Sequence, residues 1–360
     1  MSLRILHLIP TLENGGAERQ LAILAGAQRR AGHDVAVGVL RGGPNEERLE
    51  EQGVPVHRIS SNGHYDPRLI ASATMLVRRL RPNVVQTWLP LMDVVGAVAT
   101  RLTRTPWVIA ERSNAEAYVR FNDRALRLPV GRFADAVVAN SEGGKAVWEG
   151  RLRGPVAVVG NVVPRNEIDA ALPAELSSLG IAPGTPVILF VGRLSWEKNI
   201  NVLMDALSRV VQKSGATALV CGTGPLQSVV DHAVAASGGR IKYLGERTDV
   251  WRLMKAATLL VAPSVFEGNP TVVIEAAAAG CPLLISDIDA HRRILTDDSA
   301  AFVEVADAPA LASAIERALS DREGSASRAK KAAELLGRLT PDAAAKQYDA
   351  VYHSILRDNH

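Results

Sequence analysis

The stretch Val187-Ile188-Leu189-Phe190-Val191-Gly192-Arg193-Leu194-Ser195-Trp196-Glu197-Lys198-Asn199 sets the architecture. Five apolar residues end on a glycine, two cations follow five residues apart, and an amphipathic pattern begins at Asn199 and runs over 199–212. A short apolar run closed by glycine and followed by a helical period reads as a buried strand feeding a crossover helix. The unit recurs in both directions. Downstream, 216–221, 241–244, 259–262, 282–286 and 301–305 read as strands, with helices over 225–236, 250–256 and 270–279. Upstream, 4–9, 34–40, 84–87, 107–110, 136–139 and 157–159 read as strands, with helices over 17–31 and 67–80. This alternation predicts an α/β protein of two Rossmann-like, doubly wound parallel-sheet domains facing a central cleft. The 360 residues suit two domains of about 150–200 each. The expected division is 1–164 and 165–340, with a linker at 166–186 that holds three prolines. No repeat of solenoid period is visible.

Composition narrows the class. The chain is 47% hydrophobic and 22% charged, as a packed globular protein is. Aromatics make up only 4%, which argues against stacking along nucleic acid; no nucleic-acid partner is expected. Cys221 and Cys281 sit in apolar stretches and read as buried free thiols, in keeping with a reducing cytoplasm. No apolar run approaches the roughly 20 residues that span a bilayer, and the start reads as a strand rather than a signal peptide. The net charge of +3 is uneven: residues 1–165 carry 22 Lys and Arg against 15 Asp and Glu, and the remainder 19 against 23. A basic first half attached to an acidic second half suggests that the first faces something anionic.

In an open parallel sheet the chemistry gathers just after the strands. Gly192 permits a tight turn, and Arg193 and Lys198 either clamp a diphosphate or are surface cations of a solvated loop. Phe266-Glu267-Gly268-Asn269-Pro270-Thr271 favours the clamp. Pro270 is expected at the first helical position, the free N–H groups of that helix start form an anion site, and Gly268 admits close approach. Glu275 lies farther into this helix, among small apolar residues, where a carboxylate needs a partner; a ribose diol is one. Gly15-Gly16 after the first strand suits phosphate approach or a plain loop, and it lacks the Gly-x-Gly-x-x-Gly spacing of a dinucleotide site.

Smaller signals divide between function and structure. Glu111-Arg112-Ser113 follows a strand; Arg112 either pairs with an acceptor phosphate or serves Glu111 or a helix cap. Asp287-Ile288-Asp289 reads as a polar strand-end turn rather than a metal site, and His291 and Arg292 after it are within reach of the cleft but are expected on the surface. His33 is expected to be structural, while His64 in its Ser/Asn/Gly-rich loop carries no assignment. Arg120, Arg124, Arg127 and Arg132 interleave with Phe121, Leu126, Leu128 and Phe133. That basic amphipathic stretch suits docking on an anionic membrane leaflet, against the alternative of an ordinary surface helix.

Taken together, Gly15-Gly16-Ala17-Glu18-Arg19, Ala139-Asn140-Ser141 with Lys145, Val191-Gly192-Arg193 with Glu197-Lys198, Gly222-Thr223-Gly224-Pro225, and Pro263-Ser264 through Glu267-Gly268-Asn269-Pro270 to Glu275-Ala276 and Ala279-Gly280 resemble the retaining glycosyltransferases of family 4, with the GT-B fold. The most specific block carries the family's two glutamates, here Glu267 and Glu275. The resemblance implies that Arg193 and Lys198 hold the donor's diphosphate, that Glu275 binds the ribose, and that Glu267 sits beside the transferred sugar. It places Gly16, with Gly15, against the phosphates or sugar and the segment from Leu244 to Arg247 near the base. It puts Arg112 and Asn140 on the acceptor side and folds a C-terminal helix, 341–360, back onto the first domain. It implies no metal and no cofactor, the nucleotide-sugar being a co-substrate. Relatives carry a histidine within the segment matching Thr87-Trp88-Leu89-Pro90-Leu91-Met92-Asp93. Here that position is Leu91, so Asp93 or a backbone carbonyl is expected to contact the sugar. The implied reaction moves a sugar, from a UDP-sugar first and a GDP-sugar second, to a cell-surface glycan or lipid-linked saccharide. It would take place in the cytoplasm or peripherally on the inner face of the membrane. A sugar-nucleotide epimerase of the same architecture and a non-catalytic sugar-nucleotide or glycan binder are the alternatives.

Overall fold

The computed structural model of the chain describes residues 2–13, 15–60, 66–112, 121–304 and 307–357, excepting the side chains of Pro67 and 121–125. His64, Ser113 and Arg120 lie outside the described residues, as do the side chains of Phe121 and Arg124. Two compact units divide the chain: Met1–Val162 with Leu339–His360, and Val163–Arg338.

The first unit is built on strands β1 (Arg4–Thr11), β2 (Asp34–Arg41), β3 (Val56–Arg58), β4 (Val84–Trp88), β5 (Trp107–Glu111), β6 (Ala136–Ala139) and β7 (Val156–Val158). They form one parallel sheet in the order β3-β2-β1-β4-β5-β6-β7. The second unit holds β8 (Val187–Val191), β9 (Thr217–Cys221), β10 (Ile241–Gly245), β11 (Leu259–Ala262), β12 (Leu283–Ser286) and β13 (Ala301–Val303), parallel in the order β10-β9-β8-β11-β12-β13. Central strands β4, β5, β6, β9, β11 and β12 are buried at every position, which is why apolar residues dominate them. β3 is absent from the sequence reading because Val-His-Arg at a sheet edge is only partly buried and carries one apolar residue.

One face of the first sheet packs on helix Gly16–Arg30 and on the last helix, Pro341–Arg357, whose Tyr348, Val351, Tyr352 and Ile355 join the same core. The other face packs on helices Pro67–Leu80 and Leu89–Thr103 through Leu69, Ala73, Met92 and Val95. In the second unit, helix Ile200–Ser214 and helix Ala308–Ser320 close a core around Phe190, Leu207 and Ile315.

Two buried polar clusters run through the first unit. His7 is fully buried; its Nε2 donates to Gln28 Oε1 at 2.8 Å, and its Nδ1 accepts from Trp88 Nε1 at 3.1 Å. Gln28 Nε2 donates to the Tyr352 hydroxyl at 3.1 Å, which donates to Gln86. His33 likewise serves structure, its Nε2 standing 3.0 Å from Asp349 Oδ2. The second cluster centres on Arg127, which is 2% exposed. Its Nε donates to Asp93 Oδ2 at 2.5 Å and its Nη1 to Glu111 Oε2 at 2.8 Å. Trp148 Nε1 also donates to Glu111 Oε2, at 2.8 Å, and Thr87 Oγ1 donates to Asp93 Oδ1 at 2.5 Å. Arg127 is therefore no part of a membrane-facing stripe; two buried carboxylates need its charge.

Burial, aided by the Arg112 charge and opposed by the Gln28 hydrogen bond, pushes the His7 imidazole down to about 4. Between that value and the ordinary range near 6.5 the unfolded chain binds the extra proton, so stability rises with pH across this window and is lost as pH falls through it. Urea unfolding at about pH 7 and about pH 5 should differ by roughly 2 kcal/mol on this account, and His7→Gln should flatten that part of the profile. An unchanged profile in the variant removes His7 as the cause. Arg127→Ala leaves Asp93 and Glu111 buried without a cation and should cost about 3–5 kcal/mol in the same measurement.

Candidate functional site

The strand order of the second unit reverses between β8 and β11, whose neighbours β9 and β12 continue in opposite directions. β8 and β11 pair only at Ile188–Leu259 and Leu189–Leu260, so the last two residues of each strand are unpaired with one another. A crevice at such a reversal is the general ligand position of this fold class, and the loops leaving these two strands carry the candidate residues.

The loop after β8 is held by backbone contacts. Gly192 N–H donates to Cys221 O at 3.0 Å and Leu194 N–H to Thr223 O at 2.9 Å. Gly222 (φ +130) lies so close that a Cβ there would stand 1.9 Å from Gly192 O, which makes that glycine obligatory. The 3-10 turn Trp196–Lys198 then passes through Asn199, at φ +58, into helix Ile200–Ser214. Arg193 is exposed and makes no ion pair among the described residues.

The loop after β11 is stitched to it by Val265 N–H, which donates to Glu197 O at 2.9 Å. This brings Lys198 Nζ to 2.5 Å from Glu267 Oε1, which also accepts from Ser264 Oγ at 2.8 Å. Next comes helix Thr271–Ala278. Pro270 stands at its N-cap rather than its first turn, because its ψ of 70° lies outside the helical range. Its carbonyl still takes the first intrahelical bond, from Ile274 N–H at 3.1 Å. Thr271 begins the helix beside Asn269, and Glu275 within it is 1% exposed, between Ile274 and Ala276. Gly268 has open space where a side chain would stand and no left-handed backbone, so no neighbour within the chain requires a glycine there. Leu244 is half-buried in β10. Arg247, just beyond, is engaged by Asp249 through two hydrogen bonds of 2.8 and 2.7 Å.

The remaining sequence candidates belong to the first unit. Gly15 caps helix Gly16–Arg30 and lies against Glu18, where a Cβ would meet the carboxylate at 2.1 Å; Gly16 has open space. Asp93 does not present a free carboxylate for a sugar: it is 1% exposed and each oxygen already accepts a hydrogen bond, from Thr87 and from Arg127. Nor is Arg112 a free cation. It donates to the Tyr348 hydroxyl at 2.5 Å and to Asn161 Oδ1 at 3.3 Å, and lies 4.3 Å from the centre of the Trp88 ring. Asn140, 5% exposed, reaches the Arg112 carbonyl at 3.5 Å. Its own N–H donates to Glu111 O at 3.0 Å.

The expected surface position of His291 is overturned: it is fully buried, with Nδ1 2.8 Å from Ser286 O. Arg292 is on the surface, where it pairs with Asp287 at 2.6 and 2.8 Å and with Asp297 at 2.8 Å. Asp287 is therefore a partner of an arginine. Ser264 stands in the block that resembles the family, where it carries no role of its own, and Ser286 and His291 escaped the sequence reading as site residues; Ser286 ends a strand, the one signal that marks it.

Residues 14–167 match the model of glycosyltransferase family 4, and residues 185–321 that of the glycosyl transferases group 1. The chain is 25% identical, over 76% of each chain, to an alpha-1,4-N-acetyl-D-galactosaminyltransferase of Campylobacter jejuni named for a PP-undecaprenol-linked saccharide. It is 28% identical, over 74% of this chain and 76% of the relative, to the lipopolysaccharide core biosynthesis mannosyltransferase LpcC of Rhizobium leguminosarum. Among solved structures, Anabaena HepE in complex with UDP and glucose superposes with a TM-score of 0.85, covering 98% of this chain and all of the other at 22% identity, a likeness of fold. With one family model on each doubly wound unit, the chain belongs to the family 4, group 1 glycosyltransferases of the GT-B fold.

Proposed function

We propose that the protein is a retaining, metal-independent glycosyltransferase that moves a sugar from a UDP-sugar to a lipid-linked or cell-surface saccharide. The observation that carries this reading is the Lys198–Glu267 pair at the β8/β11 reversal, with the unpaired Arg193 on the same loop as Lys198 and a helix N-terminus following Glu267. A nucleoside diphosphate departs as an anion. Two cations and a helix N-terminus gathered at one crevice stabilise that charge. On this reading Lys198 turns from Glu267 to the diphosphate and Glu267 faces the transferred sugar. Glu275 takes the ribose hydroxyls, and Gly268 leaves room for the donor. The departing phosphate oxygen takes the proton of the attacking hydroxyl on the same face. The uridine base and the lipid-linked acceptor are supported by the relatives: HepE was solved in complex with UDP, and the Campylobacter enzyme is named for an undecaprenol-linked saccharide.

The first unit's surface supports a peripheral position on an anionic membrane surface. No described helix is long and apolar enough to cross a membrane. Met75 (67% exposed) shares a face of helix Pro67–Leu80 with Arg78 and Arg79, and Leu102 (59%) is exposed next to Arg101 on the packed helix Leu89–Thr103. Leu126 and the pair Arg132–Phe133 continue the mixture. Apolar side chains among arginines suit an anionic headgroup layer.

Melting the protein with UDP, GDP, ADP, CMP and NAD tests the donor site. UDP should raise the melting temperature, and Arg193→Ala and Lys198→Ala should each abolish the rise. A shift with GDP instead reassigns the base, and no shift with any diphosphate defeats the transferase reading. For the membrane, co-sedimentation with phosphatidylglycerol-containing vesicles should fall at least about threefold in Met75→Ser/Leu102→Ser and with added salt. Equal recovery with neutral vesicles would falsify the electrostatic part.

A further inference from the structure

The buried His291 is linked to the Lys198–Glu267 pair by a directional run of hydrogen bonds. Its Nδ1 stands 2.8 Å from the Ser286 carbonyl, which can only accept, so Nδ1 carries the proton. The Ser286 hydroxyl, 3.3 Å from the same nitrogen, gives its proton to the Ser264 carbonyl at 2.6 Å. The Ser264 hydroxyl in turn donates at 2.8 Å to Glu267 Oε1, the oxygen that Lys198 holds. Ser264, Ser286 and His291 are each 1% exposed or less, so water does not compete for these bonds.

The other ring nitrogen, Nε2, is buried and has no hydrogen-bond partner among the described residues. Burial holds the imidazole below its ordinary range and therefore neutral, and the charges of Glu267 and Lys198 act on it in opposite directions. The ring thus stands in the field of the pair while making its one strong bond away from it.

We infer that His291 is a positioning residue for sugar transfer: through Ser286 and Ser264 it fixes the Glu267 carboxylate. The inference rests on the reading of Lys198 and Glu267 as donor-site residues. The physical need is specific. When a diphosphate draws Lys198 away, Glu267 loses its ion-pair partner, and a glutamate with three free torsions would swing. Ser264, held by Ser286 and His291, keeps one oxygen fixed. Misplacement of about 1 Å at a reacting centre can cost about a hundredfold in rate.

The test uses the full chain with His291→Asn, His291→Phe, Ser286→Ala and Glu267→Gln. Asparagine places an N–H donor where Nδ1 stands; phenylalanine fills the volume without a donor. With UDP-glucose as donor probe, His291→Phe should lower kcat about 10–100-fold and leave the donor KM within about threefold. His291→Asn should restore most of kcat. In the Glu267→Gln background, His291→Phe should cost less than about threefold more, since both act on one group. Side-chain nitrogen NMR of the histidines requires no turnover. It should show His291 protonated at Nδ1 only, with resonances that shift in Glu267→Gln and in Ser286→Ala.

If His291→Phe does not fold, Ser286→Ala carries the kinetic arm. Unshifted His291 resonances in both variants, or full kcat in His291→Phe, overturn the inference. Loss of the UDP melting shift in the wild-type protein defeats the donor-site reading instead, so the two failures are distinguishable.

Discussion

Everything in the second unit is arranged around one topological event, the reversal of strand order between β8 and β11. Parallel strands need crossover connections, and where successive crossovers leave in opposite directions the loops above two neighbouring strands cannot cover each other. The sheet supplies the opening; the loops supply charge. Lys198 comes from one loop and Glu267 from the other, and the backbone bond from Val265 to Glu197 fixes their register. Gly222 enforces the geometry from the β9 side, because its lack of a side chain lets two backbones meet.

Polar groups in the cores follow a different logic in the two units. In the first, buried groups pair with one another: Arg127 is shared by Asp93 and Glu111, and His7, Gln28, Tyr352 and Gln86 form a run that ties the last helix to the sheet. Such networks are costly to break and poor at ligand contact, since their lone pairs are already used. In the second unit the run from His291 through Ser286 and Ser264 ends on a partly exposed carboxylate paired with a partly exposed ammonium. Two strong groups with some exposure can be repartnered by a ligand at modest desolvation cost.

This contrast bears on the first unit's contribution to chemistry. Asp93 and Arg112 are occupied by Arg127 and by Tyr348, and Gly16 has open space where a side chain would stand. The sequence carries leucine at position 91, and the nearby Asp93 carboxylate is already bonded by Thr87 and Arg127.

Strand runs, glycine punctuation and helical periods are local properties, so the sequence by itself determined the class of fold, twelve of the thirteen strands to within two residues at each end, and the two loops that carry Arg193, Lys198 and Glu267. The edge strand Val56–Arg58 escaped because exposure removes the apolar pattern that betrays a strand. Pairings are not local. That Arg127 turns inward to two carboxylates sixteen and thirty-four residues away, and that His291 is buried rather than exposed, depend on which elements pack together. Residue type gives the capacity to bond and to ionise. Only the tertiary structure decides which partner is within 3 Å and how much water is left to compete, and those two quantities separate a structural ion pair from a binding site.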